Sequence, residues 1–196
     1  VAIGAHPGHA DLVGFGRRII RLSPTELKDY VTYQVGALAA FVRAAGGQLH
    51  HVKAHGALYN QAAADVDLAR AFAEAVAAFD ESLIVVGLAN SHLISEARRI
   101  GLPVANEVFA DRGYLPNGAL MPRNLPGAVF HDPDIVAARV LSMVKEGRVQ
   151  AGDGSIVQLE ADTICVHGDT PEALKHLQAL RRVLAEAQID IVSVTR

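Results

Sequence analysis

A single cysteine, Cys165, stands in a chain of 196 residues. One thiol excludes an internal disulfide and a cysteine-rich zinc site, and it fits a reducing compartment. No apolar run approaches the ~20 residues that a membrane-spanning helix needs, and no signal-peptide pattern is visible. Basic clusters are missing and the formal net charge is -3, so nucleic acid is not expected as a partner. Common catalytic signatures are absent too: no GxxxxGK[ST] phosphate loop, no GxGxxG after a strand, no GxSxG and no HExxH. "GFGRR" (14–18) lacks the later glycine and the strand before it. These absences leave a soluble cytoplasmic protein as the expectation.

What is present is apolar and ordered. Hydrophobic residues make up 51% and charged residues 20%, and a chain of this length buries about 70% of its unfolded surface. One domain over 1–196 is expected, with no repeat or low-complexity segment. Residues 1–5 read as a short strand, already under way at the first residue. Ser23, Pro24 and Glu26 form a capping-box start for a helix over 24–45, with Leu27, Val31, Val35, Leu38 and Val42 as its stripe. A strand follows over 49–53, then a helix capped by Asp65 that buries Leu68, Phe72, Val76 and Phe79.

The alternation continues with a strand over 83–86, a short helix over 92–100 and a strand over 104–109. Asn117-Gly118 signals a hairpin turn, and "GDG" (152–154) signals another. Between them a helix is predicted over 133–146, stopped by Gly147. A strand over 163–166, a helix over 171–187 and a last strand over 189–194 complete the chain. Strands alternating with helices predict a parallel sheet with helices outside it. An open doubly wound sheet and a β/α barrel both satisfy that pattern.

Polar residues gather where predicted strands end, the edge at which parallel α/β folds bind ligands. The clusters are "AHPGHADLVGFGRR" (5–18), "HVKAHGALYN" (51–60), "EVFADR" (107–112) and "VHGDTP" (166–171). Strand parity puts His51, Lys53 and His55 on one face and Val52 and Ala54 on the other. Cys165 and His167 share a face by the same rule, as do Glu107 and Asp111. Burying a lysine and histidines without partners is costly, so partners or a ligand are expected beside them. Simpler readings cover other residues: Cys165 as packing, His50, His92 and His176 as surface or loop residues, and His131 as part of a helix start at Asp132-Pro133. His167 with Asp169 also reads as an acidic helix N-terminus, and Arg17-Arg18 as solvated charge. His6, His55 and His167 with Glu107, Asp111 or Asp169 form a set able to bind a divalent cation, although the spacing names no metal.

"GAHPGHADLVGFGRR", "HVKAHGALYN", "EVFADRGY", "LMPRNLPGA" and "CVHGDTP" together resemble the LamB/YcsF family, in order and over nearly the whole chain. The resemblance implies a distorted seven-stranded β/α (TIM-like) barrel of the glycoside hydrolase/deacetylase type. Members usually carry two further N-terminal strands, so the expectation is a barrel lacking its first strands. His9 stands where an aromatic residue is usual, Ala54 replaces a usual proline, and Asn117 stands where aspartate is common. The implied activity is that of the A component of a 5-oxoprolinase, the ATP-dependent hydrolysis of 5-oxo-L-proline to L-glutamate, with subunits B and C as partners. The resemblance points to Lys53, His55, Glu107, His167 and Asp169, whose side-chain chemistry makes catalytic roles the expectation. It points also to His6, Asp11, Arg17, Arg18, Asn60, Asp111, Arg112 and Arg123, for which substrate binding is the expectation. In that scheme Lys53 with Arg112 or Arg123 stabilises negative charge. His55 or His167, oriented by Asp169 or Glu107, acts as general base. ATP is the co-substrate, handled partly by the partner subunits, and a metal is left open. The alternatives are a metal-dependent deacetylase-like hydrolase and a non-catalytic ligand-binding subunit.

Overall fold

Ser23 opens the first helix as its spacing from Glu26 predicts. Its hydroxyl accepts the Glu26 N–H, and the Glu26 carboxylate accepts the Ser23 N–H at 2.8 Å. The computed structural model describes residues 1–168 and 171–194. They fall into two compact units, residues 1–105 with 193–194, and Asn106–Val192.

In the first unit the order is β1 (Ile3–Ala5), α1 (Pro24–Ala44), β2 (Leu49–Lys53), α2 (Gly56–Ala64), α3 (Val66–Phe79), β3 (Ile84–Leu88) and α4 (His92–Arg99), followed by the start of β4 (Val104–Phe109). β1, β2 and β3 pair in parallel, with Ala5 opposite Val52 and Val52 opposite Val85. The Val85 N–H donates to the Pro103 carbonyl at 2.9 Å and so brings in the approach to β4. α1 packs on α3. Leu27, Val31 and Val35 on α1 are buried, as are Phe72 and Val76 on α3, as the helical spacing requires. Burying a side chain such as Phe72 contributes about 1.5–3 kcal/mol.

The second unit holds the rest of β4, then α5 (Pro133–Glu146), β5 (Arg148–Gln150), β6 (Ile156–Gln158), β7 (Thr163–Cys165) and α6 (Ala173–Glu186). β4 and β7 pair in parallel, with Glu107 opposite Thr163 and Phe109 opposite Cys165. β5 and β6 form the antiparallel hairpin expected around "GDG". Asp132 caps α5 by accepting the N–H groups of Asp134 and Ile135. Gly147 ends it in the left-handed conformation, φ 61°. Val136 and Val140 from α5 join Ala110, Leu180 and Leu184 in the core.

The hydrogen-bonded strand order is β1-β2-β3-β4-β7, with β5-β6 apart, so the expected class holds as an α/β fold with a parallel sheet. Among the described residues that sheet has five strands. Three expectations need correction. Residues 189–194 form no strand, and Ile191 and Val192 are exposed. α2 follows β2 directly, where only a strand end was expected. His176 is no surface residue: it is 2% exposed on α6, with its Nε2 donating to the His131 carbonyl at 3.1 Å. No helix among the described residues is long and apolar enough to cross a membrane.

Candidate functional site

The end of β2 carries the first cluster. Val52 and Ala54 are fully buried, whereas His51, Lys53 and His55 on the opposite parity are half-buried. Lys53 Nζ lies 5.7 Å from the centre of the Tyr59 ring on α2, within cation–π range. The His6 ring meets that of His55 edge-on, with centroids 4.8 Å apart. Crowding by surrounding atoms, then the neighbouring charges of His55 and Lys53, lower the His6 pKa to about 4, although a bond to the Ala54 backbone pulls the other way. His6 is nonetheless exposed, so a polar ligand can reach a His6 that is neutral at pH 7. His51 lies against Gly4, where any side chain would collide with its imidazole.

The loop after β1 wraps this cluster. Gln34 on α1 holds it at one point, its amide accepting the Gly8 N–H at 3.0 Å and donating to the Gly8 carbonyl at 2.8 Å. His9 is buried, its Nε2 2.5 Å from Gln61 Oε1, so this departure from the usual aromatic is accommodated by a polar partner. Asp11 closes the loop. Its fully buried carboxylate accepts Gly14 N–H at 2.9 Å, Arg18 N–H at 3.3 Å and Arg18 Nε–H at 2.9 Å, and pairs with Arg18 Nη2. The Arg18 side chain, then these backbone donors, hold the Asp11 pKa down to about 2 against the effect of burial.

Phe15 and Gly16 at the loop's tip both have positive φ, 53° and 67°. For phenylalanine that conformation is strained. Their successive carbonyls grip the turn between β2 and α2: Phe15 O lies 2.7 Å from His55 Nε2, and Gly16 O accepts the Ala57 N–H at 2.9 Å. The approach depends on two glycines. A Cβ on Gly56, φ 61°, would strike the Gly16 carbonyl, and one on Gly16 would come 2.9 Å from the His55 ring. Arg17 is exposed, 5.6 Å from the Phe15 ring, and Asn60 is exposed with its amide 3.4 Å from the Gly56 carbonyl.

The second cluster lies in the second unit, where β4 and β7 end. Asp111 is 1% exposed, and the His167 Nδ1–H donates to its carboxylate at 3.0 and 3.1 Å. Burial alone would raise the Asp111 pKa, but the bond from His167, the charge of that ring and Arg112 bring it below the ordinary value. The His167 ring also stacks on Phe109, with centroids 5.6 Å apart. The carboxylate orienting His167 is therefore Asp111, which the sequence placed among the substrate binders. Asp169 lies outside the described residues.

Glu107 is 3% exposed on β4. Arg112 is buried and donates to the Ala128 carbonyl at 3.2 Å and to that of Met121, so it clamps the loop after β4. Arg123 is exposed on that loop. Tyr114 accepts the Phe109 N–H at 2.8 Å, and burial pushes its pKa up to about 12. Sequence reasoning missed Arg139 on α5, which donates to the Arg112 carbonyl at 2.8 Å and stacks 4.1 Å from the Phe130 ring centre. A lone arginine on an amphipathic helix gave no signal for that role. Among the described residues no group of three or more His, Cys, Asp or Glu is arranged to hold a metal ion.

These features have relatives. A protein from Pyrococcus horikoshii, named as the A subunit of 5-oxoprolinase, is 53% identical over 192 residues, 98% of this chain and 75% of its own length. One of the same name from Heliobacterium modesticaldum is 52% identical over 97% of this chain and 75% of its own length. The crystal structure of a lactam utilization protein from Thermus thermophilus is 50% identical and superposes with a TM-score of 0.90, covering 97% of this chain and 76% of that one. The LamB/YcsF family model matches residues 1–196, and the chain belongs to that family.

Proposed function

We propose that the chain acts as the A subunit of a 5-oxoprolinase, hydrolysing the lactam 5-oxo-L-proline to L-glutamate with ATP as co-substrate and subunits B and C as partners. The observation that carries this reading is 53% identity over 98% of the chain to a protein bearing that name. The β/α-barrel form of the fold is part of the same proposal, supported by the parallel strand pairs.

The chemistry of each cluster suits a lactam hydrolase. An unstrained five-membered lactam is a poor electrophile, and ATP would supply the activation of its carbonyl. In the second unit, Asp111 holds His167 by Nδ1, which leaves Nε2 as the nitrogen able to take a proton from water. The carboxylate also stabilises the imidazolium that this transfer creates. In the first unit, Lys53 serves the substrate carboxylate or the negative charge that develops on the lactam, with neutral His6 as a hydrogen-bonding neighbour.

The test is phosphate release by the complete assembly, containing this protein at its full natural length, with and without 5-oxo-L-proline. Turnover should require the lactam. Lys53→Ala should lower kcat/KM by at least ~30-fold, the equivalent of ~2 kcal/mol, with little change in the melting temperature. Lactam-independent hydrolysis would overturn the assignment, and a wild-type rate for Lys53→Ala would overturn the role of Lys53.

A further inference from the structure

We propose that Asp11 is a positioning residue: by closing the 11–18 loop it aims the Phe15 carbonyl at His55 and fixes that imidazole with its proton on Nε2. Nδ1 is then left as the basic nitrogen of His55. A backbone carbonyl can only accept a hydrogen bond, so at 2.7 Å from Phe15 O the Nε2 atom must be the donor. A neutral imidazole carries one N–H, and the tautomer follows from that single contact. The carbonyl points this way because Phe15 and Gly16 both hold positive φ. Isolated loops do not keep phenylalanine in that conformation without support.

The support converges on Asp11. Its carboxylate takes up the Gly14 and Arg18 N–H groups and the Arg18 guanidinium, and its own carbonyl accepts the Gly16 N–H at 2.9 Å. The side chain is 0% exposed and filled by these donors, so Asp11 is placed to shape the loop and not to touch a substrate. Arg18 completes the ion pair while two-thirds of its side chain stays in solvent. The family resemblance put Asp11 and Arg18 among substrate binders, and the geometry gives them a different task.

The use of this tautomer in catalysis rests on the 5-oxoprolinase reading, but the tautomer itself does not, and the two are separable. Long-range proton–nitrogen spectra of protein labelled with nitrogen-15 histidine report which ring nitrogen is protonated. At a pH where the ring is neutral, His55 should show a protonated Nε2 and an unprotonated Nδ1. Asp11→Asn should convert this pattern to a mixture of tautomers. Phe15→Gly keeps the carbonyl and relieves the positive-φ strain, so it should retain the wild-type pattern. A wild-type His55 protonated on Nδ1 overturns the proposal without any variant having to fold. A folded Asp11→Asn protein with the wild-type pattern overturns the part played by Asp11. In the assembly, Asp11→Asn should lower kcat at least ~10-fold and leave KM within about twofold, the split expected of a group acting through another. A changed tautomer with unchanged kcat would remove His55 from the reaction and leave the lock standing.

Discussion

Asp111 and His167 lie 56 residues apart in sequence and 3.0 Å apart in space. Strand parity led to each of them singly, because both follow strands. The bond between them was not legible, since it depends on β4 and β7 being neighbours, and that register is a tertiary fact. Asp111→Asn should lower kcat by ~100-fold or more while KM changes little, as measured by steady-state kinetics of the assembly. Arg112 should behave differently. Its guanidinium is occupied by the Ala128 and Met121 carbonyls, so Arg112→Ala should appear mainly as a loss of ~1–3 kcal/mol in urea unfolding. A large rise in KM with unchanged stability would restore it to substrate binding.

Elements with chemical end signals were readable. α1 and α5 start and stop within a residue of expectation because Ser23, Glu26, Asp132 and Gly147 satisfy specific backbone groups. α2 escaped notice because it has no such signal. Gly56 opens it, His55 gives it no side-chain cap, and the Gly16 carbonyl from a distant loop accepts the Ala57 N–H in its first turn. The residues over 189–194 misled in the opposite sense. Their β-branched run has strand propensity, yet the Ile189 N–H turns back to the Leu184 carbonyl at the end of α6 and no strand forms. Ser23→Ala should cost about 1 kcal/mol of stability, read as a lower urea midpoint at unchanged slope. Glu26 is held below its usual pKa by the Ser23 backbone and hydroxyl, so the same variant should let its carboxyl titrate higher.

At the scale of the molecule, the titrating groups predict loss of stability in acid. Below its ordinary value of 6.5 the unfolded chain protonates His6, while the folded chain resists until about pH 4. The unfolded state therefore binds more protons in that window, and stability falls as pH drops through it. His51, lowered by burial and by His50 and Lys53, acts in the same direction. Asp11 adds a second stage, with stability complete above 3.8 and lost as pH falls towards 2. Thermal melts from pH 7 to 3 should show a decline beginning near 6.5, and His6→Asn should flatten its first part. Surface chemistry predicts a second bulk property. Leu12, Val13, Phe15 and Ile19 stand exposed in one loop of the first unit, so the isolated chain should bind a hydrophobic dye while still folded. Leu12→Ser with Val13→Ser should reduce that signal.

The meeting of Gly16 and Gly56 restricts how the gene can vary. Each glycine has a positive φ and faces an obstacle that no change at the other position can trim, the Gly16 peptide carbonyl for Gly56 and the His55 ring for Gly16. Most tight contacts drift in pairs, a larger residue on one side matched by a smaller one opposite. Here neither position has anything left to give up. In a deep mutational scan both should tolerate glycine alone, and a library randomising the two together should yield no compensated double variant.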